Sequence, residues 1–196
     1  LLGGLSNFTQ PNIPARSNLE WFGLNAATDG ALAASGVGCV VPVPVDVGTP
    51  ITRVSLIIGA TAASTPTHQF VAIYPGTGVA VNTGALLAQS ADGLTAAVAA
   101  GAAGTVAPLT YTLASTVTPT AATAPQGFVY VMVSFTGTAV PTALSFGTPA
   151  GINYQWNALV SPAFLSATTG TALGGTAPAT LGTLTAKVVA PCIILT

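Results

Sequence analysis

Four carboxylates, one imidazole and two thiols are the groups of this 196-residue chain best suited to acid–base, nucleophilic or metal chemistry. The acids, Glu20, Asp29, Asp46 and Asp92, each stand alone in the sequence. A hydrolytic pair needs two carboxyls within roughly 5–10 Å of each other, and nothing in the spacing brings two together. An isolated acid is better suited to capping a turn by accepting backbone N–H groups, or to standing solvated at the surface. His68, the sole histidine, follows Thr67 and opens an apolar run, which makes it a strand-start residue held by a local hydrogen bond. A Ser-His-Asp relay is arithmetically open, but the chain has no Gly-x-Ser-x-Gly elbow. It also has no Gly-x-Gly-x-x-Gly or phosphate loop. Cys39 and Cys192 are too few for a disulfide framework or a structural zinc site and read as small buried hydrophobes. If the first and last strands are neighbours, their sulfurs approach each other. The expectation is a non-enzymatic protein with no catalytic residue, cofactor or metal.

Aromatic residues offer a second kind of chemistry. Tyr154 and Trp156 sit among amides in the run Asn-Tyr-Gln-Trp-Asn at 153–157. Such a group can stack on a sugar ring while the amides bond its hydroxyls, plug a subunit interface, where Tyr and Trp are enriched, or cap a core. The pair Trp21-Phe22, set apart from any strand pattern, is a second interface candidate.

Charge restricts the partners. Only seven residues are formally charged, 4% of the chain, against about 25% in an ordinary soluble domain. Three cations cannot form the basic stripe that neutralises a phosphate backbone, so nucleic acid is not expected. No apolar run reaches the ~20 residues of a membrane span, and no basic segment followed by an apolar one marks a signal peptide. With a net charge of −1 the chain lacks the self-repulsion that keeps a monomer dispersed. The expectation is that much of its outer surface is covered by sister subunits or neighbours.

The elements that must position these groups are strands. Residues 127–135 (Gly-Phe-Val-Tyr-Val-Met-Val-Ser-Phe) are rich in β-branched and aromatic types, as strands are. Phe128, Tyr130 and Met132 fall on one face, and Val129, Val131, Val133 and Phe135 on the other. Both faces are apolar, so this strand belongs in the middle of a sheet, with a second layer on one side and further cover on the other. Similar patterns occur at 37–47, 51–59, 68–74, 106–113, 141–146 and 184–195. Residues 85–91 are a strand or a single helical turn, and the Ala-rich 96–103 has helix propensity weakened by Gly101. Pro42 and Pro44, at spacing two, remove amides from one edge and mark an edge strand or an extended segment. Seven or eight strands with Gly/Pro turns predict an all-β, jelly-roll-like β-sandwich. It would occupy residues 37–196 as one domain, after an extended N-terminal arm at 1–36. Residues 147–183, rich in Gly, Thr and Ala and without charge, read as an ordered long loop.

Four segments resemble, in their order, β-sandwich virion proteins of tailed bacteriophages, particularly actinobacteriophages. They are 51–60 (Ile-Thr-Arg-Val-Ser-Leu-Ile-Ile-Gly-Ala), 65–74 (Thr-Pro-Thr-His-Gln-Phe-Val-Ala-Ile-Tyr), 87–92 (Leu-Ala-Gln-Ser-Ala-Asp) and 127–133, and the piece 176–183 is also similar. The resemblance implies a structural virion component, either a capsid decoration or a minor tail or fibre protein, working by subunit–subunit adhesion. The expected partners are copies of itself, as a homotrimer or another repeated assembly, and other virion proteins. A host-surface glycan-binding module is the alternative. The family brings no catalytic motif. The Ala/Gly-rich 94–104 departs from its usual pattern, and the first 40 residues match nothing in it.

Overall fold

A computed structural model describes residues 16–17, 27–77, 84–101, 108–147, 166–170, 172–182, 184–187 and 189–196. Within these the protein is all-β, with no helix. The strands are β1 (Arg16–Ser17), β2 (Ala27–Ala31), β3 (Val37–Pro44), β4 (Ile51–Ile57), β5 (His68–Pro75), β6 (Ala88–Gln89) and β7 (Pro108–Val117). They continue with β8 (Phe128–Thr136), β9 (Thr142–Gly147), β10 (Ser166–Thr169), β11 (Thr185–Lys187), β12 (Val189–Pro191) and β13 (Ile193–Leu195).

Three antiparallel sheets are present. The largest has the order β11-β10-β3-β8-β5-β6, the second β1-β13-β4-β7 and the third β12-β9-β2. The two smaller sheets form one layer. The C-terminal strand passes from β9 to β4 at Pro191–Cys192, Ile58 bridges Ala143, and Gly59 N donates to Thr142 O at 2.8 Å. Between this layer and the large sheet lies the main core, which includes Val41 and Val43 of β3, Val54 and Leu56 of β4, Val71 and Ile73 of β5, and Val129, Val131, Val133 and Phe135 of β8.

β8 holds the middle of the large sheet, as its sequence predicts. It pairs with β3 from Val37↔Phe135 to Pro44↔Phe128 and with β5 from His68↔Thr136 to Pro75↔Val129. Its odd residues enter the main core, while Tyr130 and Met132, with Phe70, Ala72 and Tyr74 of β5 and Val40 of β3, form a second core on the opposite face. That face is covered by the chain itself. Ala177 and Leu181 are buried against it, and Leu86, Leu173 and Leu184 pack at its border. Residues 172–182 and 184 therefore form a strap over this face. Of the long loop expected at 147–183, residues 148–165, 171 and 183 lie outside the described residues, and 166–169 are not loop but strand β10, held by pairing with β3. The strap is tied down by Leu86 N to Ala179 O (2.9 Å), Tyr74 Oη to Pro178 O (2.7 Å) and Ala177 N to Gln89 Oε1 (2.9 Å).

This cover removes one reason for expecting neighbours. The apolar strand faces are sealed within one chain, and among the described residues only Val47 and Leu94 are large hydrophobics left exposed. Two local expectations also change. β3 is an edge strand along only half its length. Val45 N donates to Gly127 O (2.9 Å), so by alternation the even residues of β3 face the other side, where β10 reaches only Gly38–Val40. Pro42 and Pro44 lie beyond that limit, where their missing amides cost nothing. In β4, strict alternation predicts Ile51 on the face opposite Val54, yet both are buried in the main core. A register shift between Ile51 and Arg53 changes the phase, as a bulge does.

Of the expected arm at 1–36, the described residues 16–17 and 27–31 are strands, whereas 32–36 turn into β3, with Val37 N donating to Ala34 O (3.0 Å). β1 pairs with β13 and β2 with β9, and Leu32 and Ala33 enter the main core. The segment 96–101 is not helical. Cys39 and Cys192 are both buried and not linked to each other.

Candidate functional site

The sequence places His68 at the first residue of β5 and Asp92 in an Asp-Gly turn just after β6. Asp92 Oδ1 accepts the Leu94 N–H two residues on (2.9 Å), the local bond that makes Asp a turn residue. The same oxygen accepts Gln69 N–H (2.9 Å), and Gly93 N–H returns a bond to Gln69 O (2.8 Å). The other oxygen, Oδ2, meets His68 Nδ1 at 2.6 Å. The partner of His68 is therefore 24 residues away, not local as the sequence suggests.

Behind the pair the network continues inward. Gln69, only 2% exposed, donates from Nε2 to Ala96 O (2.6 Å) and accepts at Oε1 from Tyr111 Oη (2.9 Å). Backbones press against it from two sides. A Cβ at Gly93 would lie 2.6 Å from Gln69 Cγ, and one at Gly175 of the strap would collide with the Asp92 carboxylate. The network thus joins the start of β5, the 92–96 turn, β7 and the strap.

Charge in the network is settled by hydrogen bonds. Burial acts to raise the Asp92 carboxyl, but bonds from His68, Gln69 N and Leu94 N outweigh it and hold the carboxyl below the usual aspartate range. The Tyr111 phenol is pushed well above its ordinary value by burial and by the nearby Asp92 charge. Among the described residues, three non-glycine positions have positive φ: Thr65 (41°), Leu94 (48°) and Ala172 (53°). All border this region. Leu94 follows Asp92, and Thr65 lies three residues before His68. Ala172 precedes Leu173, whose carbonyl accepts Thr136 Oγ1 (2.8 Å), and Thr136 is the cross-strand partner of His68. Left-handed backbone costs about 1–3 kcal/mol at such residues and persists where surroundings fix it.

A carboxylate on Nδ1 orients an imidazole and leaves Nε2 as its working nitrogen. With 37% of its side chain exposed, His68 is reachable, whereas Asp92 is 17% exposed. Among the described residues, however, no hydroxyl or thiol is hydrogen-bonded to His68, and Asp92 spends both oxygens on the turn and the ring. The geometry fits a clamp joining distant segments. The other described aspartates make separate ties, Asp29 to Ala60 N (3.2 Å) and Asp46 to the Arg16 guanidinium. Each of the three described aspartates thus has its own partner in a different part of the fold. No group of three His, Cys, Asp or Glu side chains suited to a metal occurs among the described residues.

Glu20 and the aromatic candidates Trp21, Phe22, Tyr154 and Trp156 lie outside the described residues. Sequence reasoning saw His68 and Asp92 singly but missed their pairing, and it missed Gln69 and Tyr111 altogether. The one available signal was a glutamine in a strand with no other polar residue after it. No protein-family model, curated protein or solved structure matches this chain.

Proposed function

We propose that this chain is a non-enzymatic structural component of a tailed-phage virion, a capsid decoration or a minor tail or fibre protein, that adheres to copies of itself and to other virion proteins. The observation that carries the reading is the scarcity of charge: seven formal charges in 196 residues. A surface this neutral has little long-range repulsion to keep copies apart. The resemblance of the four ordered segments supplies the particle. The His68–Asp92 clamp and the self-covering strap support a scaffold role, because their polar groups are spent on holding the fold.

Adhesion in this reading does not use the apolar strand faces, which the protein seals itself. It uses the small neutral side chains that remain outside, gaining about 25 cal/mol per Å² of apolar area buried. Association of that kind is nearly indifferent to ionic strength. Mass photometry between about 0.01 and 1 M NaCl, over which the Debye length falls from about 30 to 3 Å, is expected to show the same oligomer. Gold-labelled antibody against the protein is expected to decorate purified particles. A monomer at every salt concentration, together with unlabelled particles, overturns the proposal.

A further inference from the structure

We infer that the cleft between β10 and the strap is a binding site for a neutral saccharide. The cleft has a volume of about 560 Å³, within the roughly 300–1,000 Å³ typical of small-molecule sites. Thr168, Thr169, Thr180 and Thr185 line it, with Val37, Leu173 and Pro178 as apolar wall.

Thr169 marks the cleft as more than a surface dent. The residue is 4% exposed, yet its hydroxyl has no hydrogen-bond partner among the described residues. Ser134 Oγ is the one buried side-chain oxygen there that is both sealed from solvent and unpartnered, so Thr169 Oγ1 must open onto the cleft. It lies 3.7 Å from where a Cβ on Gly182, another lining residue, would stand. A buried hydroxyl normally finds a partner, and here the partner has to come from the cleft.

The lining selects the ligand by exclusion. Among the described residues no charged side chain lines the cleft, and against these a phosphate, carboxylate or ammonium would lose its hydration without gaining a counter-charge. Thr168 Oγ1 already donates to Thr185 O (3.4 Å), but a purely apolar ligand would strand the Thr169 hydroxyl in the same way. A neutral sugar matches both halves, its C–H face against Leu173 and Pro178 and its hydroxyls toward the threonines. This goes beyond the structural role proposed above and does not involve Tyr154 or Trp156.

Saturation-transfer NMR on the whole protein tests it, using millimolar D-glucose, N-acetylglucosamine and maltose, with glucose 6-phosphate as the charged control. The expected result is transfer to at least one neutral sugar and markedly less to the phosphate. Thr169→Val should weaken binding about tenfold, the equivalent of one hydrogen bond, without lowering the thermal midpoint, because the hydroxyl has no internal partner to lose. Gly182→Val, whose new side chain enters the cleft at a position with ordinary φ, should also reduce transfer and serves if the first variant misfolds. Absence of transfer to every neutral sugar, or transfer unchanged in both variants, overturns the assignment. So does saturation of a neutral Thr/Ala-rich peptide alone. Particle labelling is read separately, so either proposal can fail without the other.

Discussion

At the scale of single residues, Asp92 concentrates more function in fewer atoms than any other described side chain. It holds two backbone amides and one imidazole. Its carboxyl is held below the usual aspartate value in the folded state, so its contribution is fully present above the unfolded value of about 3.9 and is lost as pH falls through the lower folded value. Asp92→Asn is therefore expected to cost about 1–2 kcal/mol at pH 7, allowing for the partly exposed His68. The gap to the parent should close as urea titrations are carried below about pH 4. Ser134 gives the opposite case. Its sealed hydroxyl has no partner, so Ser134→Ala should leave the urea midpoint unchanged or raise it, since only an unsatisfied group is removed. The sequence left Asp92 as a turn-capping or solvated acid, of which the turn is found, and made His68 a strand opener with a local partner, of which only the position is found. It could not show that the His68 ring closes onto Asp92, because that depends on how the intervening chain brings them together.

At the scale of elements, the strap decides how the large sheet is finished. Leu181 is fully buried against the second core and belongs to neither sheet layer. If the strap is an integral part of the folded unit, Leu181→Ala should lower unfolding free energy by about 2–5 kcal/mol, as for other buried leucines. Denaturation should stay a single transition. A loss under about 0.5 kcal/mol, the level of surface substitutions, would mean that the strap detaches before the sandwich melts. The strands beneath it were legible because alternation is local: the faces of β5 and β8 fall as their sequences divide them. β2 and β10 were not legible. Ala-Thr-Asp-Gly-Ala and Ser-Ala-Thr-Thr contain no Val, Ile, Leu or aromatic residue to mark an apolar face, and their neighbours β9 and β3 hold them in the sheets.

Considered whole, the molecule keeps three phenols neutral by enclosing them. Tyr74, Tyr111 and Tyr130 are all held above the ordinary tyrosine value of about 10, chiefly by burial. In the unfolded chain they ionise near that value, so from about pH 10 upward the unfolded state binds fewer protons and stability falls. Urea midpoints between about pH 8 and 11 should be flat and then drop. Phe substitution at Tyr130, for which no hydrogen-bonding partner of the phenol is found among the described residues, should soften the drop.

Composition and period-two alternation alone determined that this protein is an all-β sandwich with β8 in the middle of a sheet, buried on both faces. Those properties depend on residues next to one another along the chain. The tertiary structure decided what covers the second face, which acid meets the histidine and where a neutral cleft opens. Each of these joins segments tens of residues apart, and the route of the connecting loops, which no local pattern encodes, sets which segments meet.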